Sequence, residues 1–162
     1  MKDIQSEKFM IGCRVVSQKE ALEDGTYSMY IFKNEKPDRI KMFHNGCLYK
    51  VVYPEREKPF DGLKAEHFKN YPGVTLEVWE ERKPYCEAGY EYRSHVFNEC
   101  GEQILLRDCI LDAKERIIKE VEMDDNFEVV VEYGYVYDGD ELVEAIEFDK
   151  EGNRVGGRDF RD

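Results

Sequence analysis

The sequence has little that would build a conventional catalytic or metal site. Its three histidines, His44, His67 and His95, do not stand at the spacings of zinc ligands. It contains no Gly-rich phosphate loop, no Gly-x-Ser-x-Gly nucleophile motif and no EF-hand loop. Nothing in the sequence therefore favours an enzyme, and we expect neither a cofactor nor a bound metal.

The cysteines do not form a recognisable disulfide or metal framework. There are five, an odd number, and no two of them make a Cys-x-x-Cys pair. We expect reduced core thiols, at Cys13, Cys47, Cys86, Cys100 and Cys109. The first residues lack the composition of a signal peptide, and no stretch approaches the ~20 apolar residues of a membrane span. These features predict a cytoplasmic protein that does not associate with membranes.

Basic residues are too few to balance the acidic ones, since 24 Lys and Arg stand against 36 Asp and Glu, a net charge of −12. The imbalance is confined to residues 97–162, which hold 8 basic and 20 acidic residues, whereas residues 1–96 hold 16 of each. Such a charge opposes binding to nucleic-acid phosphates. It is consistent with a solvated acidic face or with a surface that attracts a basic partner.

Aromatic residues are abundant, at 13% of the chain, and many alternate with polar ones. This pattern is typical of strands that are buried on one side. Asn45-Gly46 lies between two alternating segments and is a strong hairpin signal. We predict an all-β fold with minor α content: an antiparallel β-meander of about ten strands, forming an open sheet or a partly closed barrel.

We expect a single domain over residues 1–162. Ser17 and Glu20 have the spacing of a capping box, which predicts a short helix near residues 17–23. A second short helix is predicted near residues 61–70. The predicted segments are N-terminal hairpins over 9–53, a long loop with that second helix over 54–72, a β-meander over 73–155 and a tail over 156–162.

A turn sequence recurs in the last third of the chain. Residues 97–104 read FNECGEQI and residues 148–155 read FDKEGNRV, while residues 111–117 and 137–142 are a copy without the glycine and a shorter version. In the full unit an aromatic residue ends one strand, Asn or Asp bonds back to the turn backbone, and Gly takes a positive φ. A β-branched residue then opens the return strand.

These turn units resemble the tyrosine–aspartate (YD) repeats of bacterial Rhs-type proteins, and they are similar to the MORN-like repeats of some toxin-neutralising proteins. The resemblance covers residues 97–155 and, more faintly, 26–53. It implies repeated β-hairpins in a bacterial protein related to contact-dependent toxin systems.

The alternation also predicts which side chains form the core. In the last five strands, apolar residues occupy alternate positions and therefore share one face of each strand. A sheet that is buried on one side would place that face inside. We expect six of them to be largely buried: Leu106, Ile117, Val129, Val131, Leu142 and Ile146.

The first functional hypothesis is a protein that binds and inhibits a basic partner through an acidic sheet face. A bacterial immunity-type protein bound to a basic toxin or nuclease is its concrete form, because nucleases carry basic clefts for phosphates. Apolar contacts in the outward row would hold the complex after encounter. The expected binding residues are Glu120, Glu122, Asp125, Glu128, Val130, Glu132, Asp138 and Asp140.

The alternative is a β-barrel that holds a small molecule, as a carrier or an enzyme. Residues 54–72 would form its lid. Its polar interior would contain Glu91, Arg93 and His95, and His67 would line the pocket from the lid. A closed barrel with a polar cavity favours this alternative, whereas an open sheet with an acidic face favours the first hypothesis.

Overall fold

A computed structural model describes residues 3–12 and 14–161. Within these residues the chain forms thirteen β-strands and two α-helices, in one open and mostly antiparallel sheet. The predicted fold class, all-β with minor α, is therefore confirmed. The chain has two compact units, residues 1–80 with 96–104 and residues 81–95 with 105–162. That the whole chain is a single domain stays a prediction.

The first unit holds both helices. Its strand order is β6-β5-β4-β3-β1-β2, in which every neighbouring pair is antiparallel except β5 and β6. These two strands are parallel because the segment between them contains the second helix, which returns the chain to the same end of the sheet. Its elements are β1 (Gln5–Ile11), β2 (Arg14–Val16), α1 (Gln18–Asp24), β3 (Tyr27–Lys33), β4 (Lys36–His44), β5 (Cys47–Arg56), α2 (Asp61–Asn70) and β6 (Thr75–Glu80).

Local sequence accounts for α1 and for the turn between β4 and β5. The Ser17 hydroxyl accepts a hydrogen bond from the Glu20 backbone N–H at 3.2 Å and caps α1, and Gly25 ends it at φ 80°. Asn45 and Gly46 have φ values of 49° and 75°, the conformation that a two-residue hairpin turn requires. Both features confirm the sequence-based predictions.

The first unit has two hydrophobic cores. The larger core lies between α2 and the sheet, and Leu76, Val51 and Val78 in it are completely buried. A smaller core surrounds Ala21 of α1, with Tyr27 of β3. Burial of this extent is the main source of stability in a domain.

The second unit is a run of antiparallel strands, in the order β13-β12-β11-β10-β9-β8, with β7 paired to β8. Residues 96–97 of β8 and 103–104 of β9 belong to the first unit. The predicted tail is wrong in part, because residues 154–159 form the last strand. The strands are β7 (Lys83–Tyr85), β8 (Gly89–Phe97), β9 (Gln103–Leu111), β10 (Ile117–Met123), β11 (Val129–Asp138), β12 (Glu141–Phe148) and β13 (Arg154–Asp159).

Burial in the second unit differs from the prediction. Leu106 is buried as expected, whereas Val129 and Leu142 are 38% and 37% exposed. Every residue of β10 to β13, all of which the structure describes, is half-buried or exposed. The prediction is therefore wrong for Val129 and Leu142, and only half-burial is found at Ile117, Val131 and Ile146. The physical reason is that both described helices belong to the first unit, so no helix of the second unit covers these strands.

The cysteines also depart from the expectation. Cys109 of β9 is a buried free thiol, but Cys47, Cys86 and Cys100 are exposed free thiols next to turns. Cys13 lies outside the described residues. Among the four described cysteines, core packing therefore explains only Cys109.

Candidate protein-binding face

Four hairpin turns with one geometry connect strands β8 to β11 and β12 to β13. In each, a side-chain oxygen of Asn or Asp accepts hydrogen bonds from the backbone N–H groups two and four residues later, at 2.8–3.0 Å. The residue three positions later has positive φ. The Asn and Asp residues are Asn98, Asp112, Asp124 and Asp149.

These turns have the hydrogen bonds that the repeated sequence predicts, and one copy was missed. The turn at Asp124 has Phe127 at the positive-φ position, with φ 64°, and Glu115 takes that role in the turn at Asp112. A motif that requires glycine at this position does not match these two turns, because a non-glycine residue takes the positive φ there. The signal that could have revealed the missed copy is the Asp alone, since it makes the turn hydrogen bonds.

Asp124 and its neighbour Asp125 offer a matched test of this turn geometry. The Asp124 carboxylate accepts the N–H groups of Asn126 and Glu128 at 2.8 and 3.0 Å, whereas Asp125 is exposed. We expect Asp124→Ala to lower the free energy of unfolding by about 1 kcal/mol. Asp125→Ala should change it by less than about 0.5 kcal/mol. Denaturant unfolding measures both, and equal effects of the two substitutions would refute the proposed role of the turn aspartate.

Two β-bulges decide which side chains share a face in β10 to β12. The first shifts the β10–β11 register between Glu122 and Met123, and Val130 has no partner in β10. The second lies in β12, where Val136 pairs with Glu144 but the next residue, Tyr137, pairs with Leu142. Because a shift of one residue moves side chains to the other face, the bulges determine the surface of the whole meander.

The result is a cross-strand row with a tyrosine between two glutamates. Tyr133 of β11 lies opposite Glu120 of β10 on one side and Glu147 of β12 on the other. Directly opposite residues in a sheet point to the same face. We call the side that carries this row the tyrosine face, and its residues in β10 to β12 include Glu120, Glu122, Tyr133, Tyr135 and Glu147.

The pKa values of two tyrosines on the tyrosine face are raised, in part by the carboxylates around them. The pKa of Tyr133 is raised, first by partial burial and then by the nearby carboxylates of Glu122, Glu147 and Glu120. The pKa of Tyr135 is raised to about 12, mainly by burial and then by Glu120. Both phenols therefore remain neutral at physiological pH beside anionic side chains.

The opposite side of these strands neutralises its own carboxylates, and we call it the ion-paired face. Arg93 donates two hydrogen bonds to Asp108, at 2.7 and 3.0 Å. Lys119 lies 3.0 Å from Glu132, and Arg154 lies 2.8 Å from Glu144. Each of these carboxylates is therefore matched by a cation of the protein itself.

On the tyrosine face, Glu120 differs from Glu122 and Glu147. Arg107 lies 3.7 Å from Glu120, so this carboxylate has a cation of the protein beside it. Among residues 3–12 and 14–161, no cationic side chain lies within ion-pair distance of Glu122 or Glu147. Glu122 and Glu147 are therefore two glutamates of this face that no described cation pairs.

The structure does not gather the expected acidic residues into one surface. Glu120 and Glu122 lie on the tyrosine face, but Glu132 lies on the ion-paired face and is bound by Lys119. Val130, at the bulge, is 57% exposed. The remaining expected residues lie at turns or at a strand end. Asp125 and Glu128 lie at one end of β11, and Asp138 and Asp140 lie at the other. The two groups are separated by the length of this strand, about 30 Å.

The other predicted site is also divided. His67 belongs to the first unit and is completely buried, with Nδ1 3.1 Å from the Tyr53 hydroxyl and Nε2 2.9 Å from the Val74 carbonyl. Glu91, Arg93 and His95 belong to β8 of the second unit, where Arg93 is held by Asp108 and His95 is buried. His67 therefore has a structural role, and the four residues are not one pocket of either unit.

Glu147, Tyr133 and Tyr135 were not among the binding residues expected from the sequence. The alternation of β11 does contain the two tyrosines, so their shared face could be found. The position of Glu147 opposite Tyr133 depends on the bulge in β12, for which the sequence gives no clear signal.

Other kinds of site find no support in the described part of the chain. No group of three or more potential metal ligands occurs there. None of its helices has the length and apolar character needed to cross a membrane. No family model matches the chain, and neither the curated proteins nor the solved structures include a significant match.

Proposed function

We propose that this protein binds a basic protein through the tyrosine face and thereby inhibits it. The observation that carries the proposal is the contrast between the two faces of β10 to β12. In the described part of the chain, Glu122 and Glu147 have no cation within ion-pair distance, while Glu132 and Glu144 are ion-paired on the reverse side. A partner that brings its own cations would complete the pairing on the first face only.

The half-exposed strands support the same proposal. A sheet normally buries at least one face, yet every residue in β10 to β13 retains some exposure. Tyrosine residues on such a surface supply large contact areas with a polar end, and they are enriched at protein interfaces. A partner covering Tyr133 and Tyr135 would give these strands the second layer that their own unit lacks.

The most concrete form of the proposal is an immunity-type protein that neutralises a basic toxin or nuclease. The resemblance of residues 97–155 to repeats of bacterial toxin systems points in this direction, and the net charge of −12 suits a basic target. A small-molecule carrier or enzyme is less well supported, because the sheet is open and the residues expected around its cavity are divided between the two units.

Two charge-neutralised variants test the proposal. Glu122→Gln/Glu147→Gln changes the tyrosine face, and Glu132→Gln/Glu144→Gln changes the ion-paired face, so that each variant raises the net charge by the same amount. The wild-type protein and both variants would be used to capture partners from the native host. We expect the first variant to raise the dissociation constant of the captured basic protein by about tenfold or more, since it removes two carboxylates that the partner's cations would pair.

Glu132→Gln/Glu144→Gln is the control, and its dissociation constant should stay within about threefold of the wild-type value because these residues lie on the reverse side of the sheet from the proposed interface. Circular dichroism should show the same β content for all three proteins. An acidic captured partner, or equal weakening by the two variants, would contradict a binding site on the tyrosine face.

A further inference from the structure

The last strand of the second unit has one side without a neighbour. Strand β13 pairs with β12, and no other described strand lies beyond it. The N–H group of the next residue, Phe160, donates to the Val143 carbonyl at 2.8 Å, toward β12. Because alternate residues of a strand direct their backbone groups to opposite sides, Asp159 and Gly157 direct theirs to the open side. The edge of β13 can therefore accept one more strand.

A carboxylate of the tyrosine face lies next to this open side. Glu147 of β12 pairs with Gly156 of β13, and a Cβ atom at Gly156 would lie 3.3 Å from the Oε2 atom of Glu147. The glutamate side chain therefore extends over the glycine, toward the edge of the sheet. Since Gly156 has no side chain, a cation on an added strand would meet this carboxylate without an obstacle between them.

Strand β13 itself carries a cation without a carboxylate beside it. Arg158 pairs with Ala145, so it lies on the same face as Glu147. Arg158 is exposed, and its guanidinium lies 5.1 Å from the ring centroid of Phe160. In the described part of the chain, no carboxylate lies within ion-pair distance of it. One molecule thus offers both an anion and a cation along the same edge.

A two-fold pairing of two β13 strands brings these charges together. Val155 has no partner in β12 and forms a bulge. The paired positions of β13 are, in order, Asp159, Arg158, Gly157, Gly156 and Arg154. Two antiparallel copies with Gly157 opposite Gly157 use all five positions. Arg158 of each copy then lies opposite Gly156 of the other, with Cβ positions about 5 Å apart, so its guanidinium can reach Glu147 of the other copy.

The charges of β13 favour this register over its neighbours. A centre at Arg158 would place two arginines directly opposite each other, and a centre at Asp159 would do the same with two carboxylates. A centre at Gly156 would leave Arg158 opposite the turn that precedes β13. With Gly157 at the centre, Asp159 lies opposite Arg154, so no like charges meet. Arginines on an edge strand normally keep other strands away, and here they favour a strand that offers a carboxylate.

We propose that a second copy of this chain pairs with the open side of β13, in a two-fold dimer held by ion pairs between Arg158 of one copy and Glu147 of the other. A single strand edge buries less surface than a standard interface, so the dimer is weak and reversible. Within it Glu147 is occupied, and a basic partner finds this carboxylate free only in the monomer. That consequence rests on the proposed function, whereas the dimer itself does not.

Sedimentation equilibrium of the full-length protein at increasing concentration tests the dimer. We expect the apparent mass of the wild-type protein to rise toward that of a dimer. Arg158→Glu should raise the dimer dissociation constant by about tenfold or more, because it places a carboxylate beside Glu147 of the other copy. Lys150→Glu is the matched control, since it changes the net charge equally but lies in the turn before β13. It should stay within about threefold of the wild-type value.

A mixture of two variants makes the assignment specific. Glu147→Arg alone should also fail to dimerise, because the new cation meets Arg158 of the other copy. Mixed with Arg158→Glu, it restores opposite charges at both symmetric contacts. The equimolar mixture should therefore associate about tenfold or more tightly than either variant alone, and this recovery also shows that both variants are folded. In the wild-type dimer, the amide hydrogens of Gly157 and Asp159 should exchange more slowly with solvent than in the monomer.

A wild-type protein that stays monomeric at every concentration would overturn the dimer. Equal weakening by Arg158→Glu and Lys150→Glu, or a mixture that associates no better than its components, would do so as well. These outcomes are distinguishable from failure of the proposed function, because that failure leaves partner binding equal in the two neutralised variants and does not alter the apparent mass of the wild-type protein.

Discussion

Leu76→Ala is expected to lower the free energy of unfolding of the first unit by about 3–5 kcal/mol. Leu76 is completely buried in β6, and its neighbours in the core include Val51, Val78 and Phe97. Truncation removes favourable burial and leaves a cavity that strands fixed by backbone hydrogen bonds cannot close. Urea unfolding, monitored by the fluorescence of the single tryptophan, Trp79, measures the loss beside the altered site.

Leu142→Ala is the matched control for this prediction. Leu142 is 37% exposed in β12, so the same truncation should cost less than about 1.5 kcal/mol. Similar losses for the two substitutions would contradict the contrast in burial between the two units. That contrast matters for function, because the half-exposed strands are the ones proposed to acquire their missing layer from a partner.

His67→Ala is expected to lower the free energy of unfolding by about 3 kcal/mol or more at pH 7.5. The substitution leaves a cavity, and it leaves two polar groups without their hydrogen-bond partner. The neutral ring donates from Nε2 to the Val74 carbonyl and accepts from the Tyr53 hydroxyl at Nδ1. Burial raises the pKa of Tyr53 to about 12, so this hydroxyl keeps its proton. The imidazole therefore ties α2 to β5 and to the segment before β6.

The same histidine gives the stability a pH dependence whose sign is fixed. Burial lowers the pKa of His67 below its ordinary value of 6.5, and the hydrogen bond to Val74 only partly opposes this. Below pH 6.5 the unfolded chain therefore binds more protons at this residue than the folded chain does. The stabilisation is present above pH 6.5 and is lost as the pH falls toward the lower pKa of the folded state.

The measurement is the free energy of unfolding at pH 7.5 and at pH 5.5, for the wild-type protein and for His67→Phe. The phenylalanine ring preserves most of the volume but does not titrate, so the variant should lose less stability between the two pH values. A decline as steep in the variant as in the wild-type protein would assign the pH dependence to other groups and refute this role of His67.

Elements with a strong local signal could be predicted from the sequence. The hydroxyl of Ser17 and the glycine at position 25 mark the two ends of α1, and Asn45-Gly46 marks a turn that only a few residue types can form. Both helices lie within a residue of their predicted positions. These features depend on neighbours in the sequence, and tertiary contacts did not override them.

The candidate binding face could not be predicted, because it depends on two single-residue bulges. If the pairing of Met123 with Val129 continued without a bulge, Glu120 would lie opposite Glu132, on the single acidic surface that the sequence suggests. The bulge at Val130 instead places Glu120 opposite Tyr133. The bulge in β12 then brings Glu147 to the same row. Alternation reports the faces of one strand, but register decides which faces of neighbouring strands coincide.

The predicted core failed for a related reason. Alternating apolar residues show that one face of a strand could be buried, but they do not show that anything covers it. Val129 and Leu142 have suitable parities and yet remain exposed, because their unit contains no described helix that covers them. In the first unit, α2 covers β5 and β6 and produces a conventional core.

The central claim is that the uncompensated carboxylates of the tyrosine face recruit a basic protein. The most direct measurement is the association rate constant of that partner across ionic strength, for the wild-type protein and the two neutralised variants. At low salt, Glu122→Gln/Glu147→Gln should slow association by about tenfold and flatten its salt dependence, because electrostatic steering acts mainly on the association rate. Glu132→Gln/Glu144→Gln should associate at nearly the wild-type rate. Equal rates for the two variants at every ionic strength would contradict the claim.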